Sequence, residues 1–255
     1  MKRLIALVLL LCILCSLTSC VSVSLGQLFN SGDGTGENTV NLSDLTDSVM
    51  NAQGSAVRII SRFLSFSGVE SSQGSGIIYH ENESYYYLLT NHHVLVDEKG
   101  KTATSYRILD AYGGEHSATV IACSAEYDLG VLRFDKKLTA KELTPIPLAA
   151  KNAVKGEVVF SIGTPEGLIN AVTYGKALET YDLTNDGLDI PVTAHICFVD
   201  HGSSGGGLFN SDGELVGVNF AYGENSEAST RYSFSIPVEY VVEFLAARKL
   251  LPDNL

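Results

Sequence analysis

The sequence predicts an all-β body of two six-stranded antiparallel barrels followed by a C-terminal helix. Three observations carry that expectation. From Ala56 onward the chain is written in short apolar or alternating runs separated by turn residues, the pattern of strands in a barrel or sandwich. The runs fall into a set of six, a proline-bearing crossover over 143–155, and a second set of six. Past Pro237 the apolar spacing lengthens to the period of a helix.

The first set of strands is expected at 57–64, 75–79, 85–90, 105–111, 117–122 and 129–134. The crossover begins with Leu143-Thr144-Pro145-Ile146-Pro147-Leu148, whose two prolines suit an extended connection better than a helix. The second set is expected at 157–163, 171–181, 190–197, 206–210, 214–222 and 231–236, with Ser211-Asp212-Gly213 as a hairpin turn. Pro237 then opens the helix, because its fixed φ suits a first turn, and Val238, Val241, Val242, Leu245 and Ala246 form the stripe that packs on the second barrel. The body so defined spans 52–250, one lobe over about 52–148 and the other over about 156–250.

Ahead of the body the chain changes character. Lys2 and Arg3 precede an uncharged run from Leu4 to Leu17, the layout of an export signal over 1–19. The run closes on Leu17-Thr18-Ser19-Cys20, which resembles the bacterial lipobox, and the resemblance makes Cys20 the lipid-modified new N-terminus. An uncleaved signal anchor is the alternative, since the uncharged stretch continues to Phe29 and is long enough to span a bilayer. Residues 20–51 are rich in Gly, Ser, Asn, Asp and Thr with little apolar periodicity, the composition of a flexible tether, though 42–50 could form one helical turn.

Composition removes several classes of function. The formal charge of the whole chain is −12, and it becomes about −14 once Lys2 and Arg3 leave with the signal, a surface that repels phosphate backbones and argues against nucleic-acid partners. Of five cysteines only Cys123 and Cys197 lie in the body, so no disulfide framework is expected. The six histidines show no Cys/His or H-E-x-x-H spacing, so neither a metal nor another cofactor is expected. His116, His195 and His201 have no partner legible in sequence and read as structural or surface residues.

Chemistry concentrates at His201-Gly202-Ser203-Ser204-Gly205-Gly206-Gly207-Leu208-Phe209-Asn210. A serine held between glycines can expose its hydroxyl at a tight turn and leave backbone N–H groups free for a developing oxyanion. Taken alone, the stretch reads as a Gly/Ser turn between strands. A nucleophilic serine also needs a positioned base and a carboxylate to orient it. Thr90-Asn91-His92-His93-Val94 supplies histidines where an apolar strand ends, and Tyr127-Asp128-Leu129-Gly130-Val131-Leu132 supplies a carboxylate at the mouth of another.

In that order of His, Asp and Ser, the chain resembles the trypsin-like (chymotrypsin-fold) serine peptidases, and within them the bacterial HtrA/Deg family. Its T-N-x-H-V is matched at Thr90–Val94, its D-[IL]-A-[VL]-L at Asp128–Leu132 and its G-N-S-G-G at Gly202–Gly206. Gly74-Ser75-Gly76-Ile77-Ile78, Ser161-Ile162-Gly163-Thr164-Pro165-Glu166-Gly167-Leu168 and Phe234-Ser235-Ile236-Pro237 add weaker matches. Ser203 stands where the family usually has Asn and Gly130 where it has Ala, both small-for-small changes. Nothing after Pro237 is long enough for the PDZ domain that many members carry.

The resemblance implies Ser204 as nucleophile, His93 as general base and then acid, Asp128 as the group fixing the imidazole tautomer, and the N–H groups of Gly202 and Ser204 as oxyanion donors. Consecutive residues at a strand end point in different directions, so only one of His92 and His93 can serve, and the family pattern selects His93. The activity implied is endopeptidase cleavage of exported, unfolded or misfolded polypeptides, outside the cytoplasmic membrane or in the periplasm and anchored through Cys20. The alternative is a catalytically silent, chaperone-like peptide binder. A homotrimer is also implied, although a tether stands here where the family's N-terminal contact region lies.

Overall fold

The computed structural model describes residues 42–66, 68–97, 99–182, 188–225 and 230–252. The export signal, Cys20 and most of the tether lie outside the described residues. The body opens on a helix, α1 (Leu42–Ser55), and not on a tether reaching residue 51. Leu45, Val49 and Ala52 follow one another at the i, i+4, i+7 spacing of a helix face and are all buried. Five apolar residues in this polar stretch, with Met50 exposed beside Val49, blur that periodicity in sequence. α1 packs against both barrels: its Leu45 joins the core that also holds Ile77 of the first and Phe209 of the second.

The first barrel is β1 (Ala56–Ser65), β2 (Gly68–Glu81), β3 (Tyr85–Thr90), β4 (Ser105–Leu109), β5 (Glu115–Ser124) and β6 (Leu129–Asp135). Its strands pair in the order β1-β2-β3-β6-β5-β4, and β4 returns to β1 to close the sheet. The second barrel is β7 (Val158–Gly163), β8 (Ala171–Asp182), β9 (Pro191–His195), β10 (Gly207–Asn210), β11 (Leu215–Asn225) and β12 (Thr230–Pro237). It closes in the order β7-β8-β9-β12-β11-β10. Both barrels are antiparallel throughout, as expected from the sequence.

The strand at 75–79 is the one most under-read. β2 begins seven residues earlier, at Gly68, because its first half is an exposed hairpin arm paired only with β1 and carries polar residues that break the apolar pattern. Between the barrels, the crossover buries Leu143, Ile146 and Leu148 and is pinned to the first barrel by the Ile146 N–H donating to the Ile78 carbonyl at 2.9 Å.

After the single helical turn α2 (His92–Leu95), which follows β3, the last helix is the C-terminal α3, Val238–Ala247. It buries Val238, Val241, Phe244 and Leu245. Phe244 therefore replaces Ala246 on the expected stripe: Ala246 is exposed and Val242 only half-buried. The helix also reaches the first barrel, since Tyr127 packs near Tyr240 and Phe244 and donates its hydroxyl to Glu243 at 2.9 Å. Tyr127 immediately precedes Asp128, so α3 steadies that carboxylate's loop.

Candidate active site

β3 ends at Thr90, and the extended Asn91 leads into one helical turn, α2 (His92–Leu95), rather than the simple strand end expected. Val94 and Leu95 are buried and anchor the turn. In a helical turn consecutive side chains diverge by about 100°, so the expectation that only one of the two histidines can face the site survives the change of geometry. His93 is that residue: its Nδ1 lies 2.8 Å from Asp128 Oδ2, and its backbone N–H donates to Asp128 Oδ1 at 3.0 Å. His92 makes neither bond.

Asp128 is aimed by its backbone. It sits at φ 47°, a left-handed conformation that Asp tolerates better than most residues. Its N–H donates to Ala125 at 3.3 Å, and its carbonyl accepts from the side-chain amide of the fully buried Asn91 at 2.9 Å. With both carboxylate oxygens on His93, the proton of the neutral imidazole belongs on Nδ1, leaving the Nε2 lone pair to act as a base.

Ser204 lies in the loop between β9 and β10, flanked by Gly202 at φ 95° and Gly205 at φ 85°. The second barrel holds this loop by a reciprocal pair: Gly205 N–H donates to the Asn219 carbonyl and Asn219 N–H to the Gly206 carbonyl, both at 2.8 Å. The first barrel holds it through Ser75 N–H, which donates to the Ser204 carbonyl at 2.7 Å. The serine is thereby seated against the strand that precedes the histidine-bearing one. Its hydroxyl makes a long 3.5 Å bond to the Phe220 carbonyl, and among the described residues it has no hydrogen bond to His93. Such nucleophile–base contacts are often loose until substrate is bound. Among the described residues the N–H groups of Gly202 and Ser204 donate to nothing, and both belong to the same loop.

A trypsin-like peptidase domain model matches residues 74–218. The chain belongs to the trypsin-like peptidase family. It is 33% identical over 194 residues to the mitochondrial serine protease HTRA2 of Drosophila virilis, covering 72% of this chain and 42% of that one. It is 31% identical over 185 residues to a probable periplasmic DegP-like serine endoprotease of Buchnera aphidicola, covering 71% and 37%. The chain thus spans about two fifths of the length of these curated relatives. Among solved structures it resembles the HtrA-type protease AlgW with a tripeptide (TM-score 0.66, 26% identity, 80% of this chain and 62% of that one). It also resembles a serine endoprotease from Yersinia pestis (TM-score 0.62, 26% identity, 80% and 66%). These likenesses place the chain with HtrA-type peptidases and agree with its two barrels.

One residue that supports this site, Asn219, lies outside every motif in the sequence, although its partners Ser161 and Ser235 fall within the weaker matches. Asn219 donates to Ser161 Oγ at 2.8 Å and accepts from Ser235 Oγ at 2.8 Å. Because Ser235 spends its proton on Asn219, it accepts from His195 Nε2–H at 3.0 Å. Burial pushes His195 down to about 3, so it stays neutral and structural. The one sequence signal for this network is an Asn inside the apolar run Val216-Gly217-Val218-Asn219-Phe220. His116 is structural too, paired with buried Asp110 at 2.8 Å, while His201 meets the Tyr222 hydroxyl at 3.3 Å. Cys123 and Cys197 are both free.

Six residues before Ser204 stands Phe198, about half exposed. The Arg231 guanidinium lies 4.6 Å from its ring centroid and 3.9 Å from that of Tyr222. The same guanidinium is paired with Asp200 at 3.0 Å. This face of the Ser204 loop is therefore aromatic and carries a cation whose counter-ion is already engaged.

Proposed function

We propose that the protein is a serine endopeptidase in which Ser204 attacks the scissile carbonyl, His93 takes and returns the proton, and Asp128 holds the imidazole. The observation that carries this reading is the two-point attachment of His93 to Asp128, beside a loop whose Gly202 and Ser204 N–H groups are unused. In the first half-reaction the Ser204 proton moves to His93 Nε2 as Oγ bonds the carbonyl carbon, and the oxygen that gains charge is received by the two free N–H groups. His93 then protonates the leaving amine, and water deacylates the enzyme by the reverse relay. The 3.5 Å bond of Ser204 to Phe220 is the one observation that favours a silent peptide binder.

Substrates are exported, unfolded polypeptides, a reading supported by the signal-like N-terminus and by the periplasmic DegP-like relative. An aliphatic residue of small or medium size should precede the cleaved bond. In trypsin-like enzymes the residue six before the nucleophile forms the pocket base, and here it is Phe198 with the Arg231 guanidinium upon it, so Lys and Arg meet neither a carboxylate nor a neutral wall. A cleavage-site profile on denatured protein tests activity and specificity together: cuts after Val, Leu or Ile are expected. A profile dominated by Lys or Arg would remove the specificity, and no cleavage at all would favour the silent binder.

Anchorage through Cys20 completes the reading, with more than one acyl chain needed for stable attachment. Cys20→Ala should move the protein from the membrane fraction to the soluble one. Unchanged membrane fractionation and unchanged processed mass would leave the uncleaved anchor in its place.

A further inference from the structure

We propose that Ser75, on the first barrel, is a positioning residue that sets the direction of the oxyanion-binding N–H groups on the second. The inference rests on the assignment of Ser204 as nucleophile. Ser75 lies on β2 and is 1% exposed. Its hydroxyl accepts from the Thr164 N–H at 2.9 Å and donates to the Gly202 carbonyl at 2.7 Å. Thr164 N–H can only donate, so the single hydroxyl proton is left for Gly202 and the direction of both bonds is determined. The backbone N–H of Ser75 meanwhile holds the Ser204 carbonyl at 2.7 Å, and its carbonyl accepts from the Thr90 hydroxyl at 2.7 Å. One residue thus ties together the strand leading to His93, the nucleophile loop and the end of β7.

The consequence follows from peptide planarity. In a trans peptide the N–H and C=O point in opposite directions, so a fixed carbonyl fixes the N–H behind it. The His201 carbonyl accepts from Glu166 N–H at 2.8 Å, which turns Gly202 N–H away from that side. The Ser203 carbonyl accepts from Gly206 N–H at 2.9 Å, which does the same for Ser204 N–H. Between these two planes lies the Gly202–Ser203 peptide, and it sets their relative orientation. Its N–H is held by the Asp200 carbonyl at 2.8 Å, inside the loop, and its carbonyl, among the described residues, by Ser75 alone. Gly202, at φ 95°, has no Cβ to resist a flip of this peptide. The hydroxyl of Ser75 adds to the Asp200 bond a second restraint that comes from the other barrel, so full alignment of the oxyanion donors requires the two barrels to be docked.

Gly74 makes the arrangement feasible: a Cβ there would come within 2.7 Å of Val94 and 3.1 Å of the Ser204 carbonyl, and would push β2 off the loop.

The test compares Ser75→Ala with the native protein on a peptide substrate and on a peptide aldehyde, whose hemiacetal oxygen uses the same N–H groups. The expected result is a fall in kcat of roughly 10–100-fold with aldehyde affinity weakened by the same factor, while KM changes by less than about twofold. A folded Ser75→Ala with unchanged kcat overturns the proposal, and so does a fall in kcat that leaves aldehyde affinity intact. Should Ser75→Ala not fold, Ser75→Cys, close in shape but a weaker donor, is judged by the same readings. Ser204→Ala separates the two layers of the argument. If it is inactive while Ser75→Ala is normal, the nucleophile stands and Ser75 falls; if it remains active, both fall.

Discussion

Replacing His93 by alanine is expected to lower turnover of a peptide substrate by roughly 10⁴-fold or more, while His92→Ala loses less than about tenfold, because base and nucleophile act as a unit and a bystander does not. Both hydrogen bonds to the Asp128 carboxylate are made by His93, one from its ring and one from its backbone. The backbone bond persists in His93→Ala, so the turn anchored by Val94 and Leu95 should keep its shape and the loss should fall on kcat. Circular dichroism on each variant checks folding before kinetics. Equal losses in the two variants, or a dead His92→Ala beside an active His93→Ala, would overturn the assignment of the base.

Gly205→Ala should damage both activity and stability. Gly205 stands at φ 85°, where a side chain costs about 1–2 kcal/mol, and its added Cβ would lie 2.2 Å from the Ser75 carbonyl and from Thr90 Oγ1. The carbonyl belongs to the buried Ser75, which is paired with β1 and already accepts from the Thr90 hydroxyl at 2.7 Å, so the Ser204 loop must retreat from the first barrel. The expected result is a loss of turnover of about 100-fold or more, with the thermal midpoint lowered by roughly 5–10 °C. Gly113→Ala is the control for backbone strain alone: it has φ 86° and nothing within 4 Å of its added Cβ. It should keep full turnover. A Gly205→Ala protein with native turnover and midpoint would show that the tight junction between the loop and β2 is unnecessary.

Much of this site was legible in sequence because its signals are local. A serine among glycines, a histidine after an apolar run and an aspartate before one each occupy a few consecutive residues, and their order along the chain added the constraint that made them one hypothesis. Asp128 and His93 lie within hydrogen-bond distance of each other, and their catalytic roles belong to the proposal. Ser75 falls in a Gly-Ser-Gly motif whose sequence carries no sign of its role, since its hydroxyl partners lie 127 and 89 residues away. Asn219 was passed over for the same reason: its bond to Ser161 spans 58 residues.

What the sequence determined by itself is the two-barrel fold, through strand periodicity and turn residues, together with the order along the chain of the groups proposed here for catalysis. Period-two alternation reports which face of a strand is covered, and that depends on neighbours along the chain. Only the tertiary structure decided that residues 42–55 are a helix within the body, that Phe244 and not Ala246 faces the second barrel, and that the nucleophile loop is held from both lobes at once. Those outcomes depend on which distant surfaces meet. A polar helix with three buried apolar positions among its described residues, or a hydroxyl with one proton to direct, carries no pattern of its own until the two barrels close upon it.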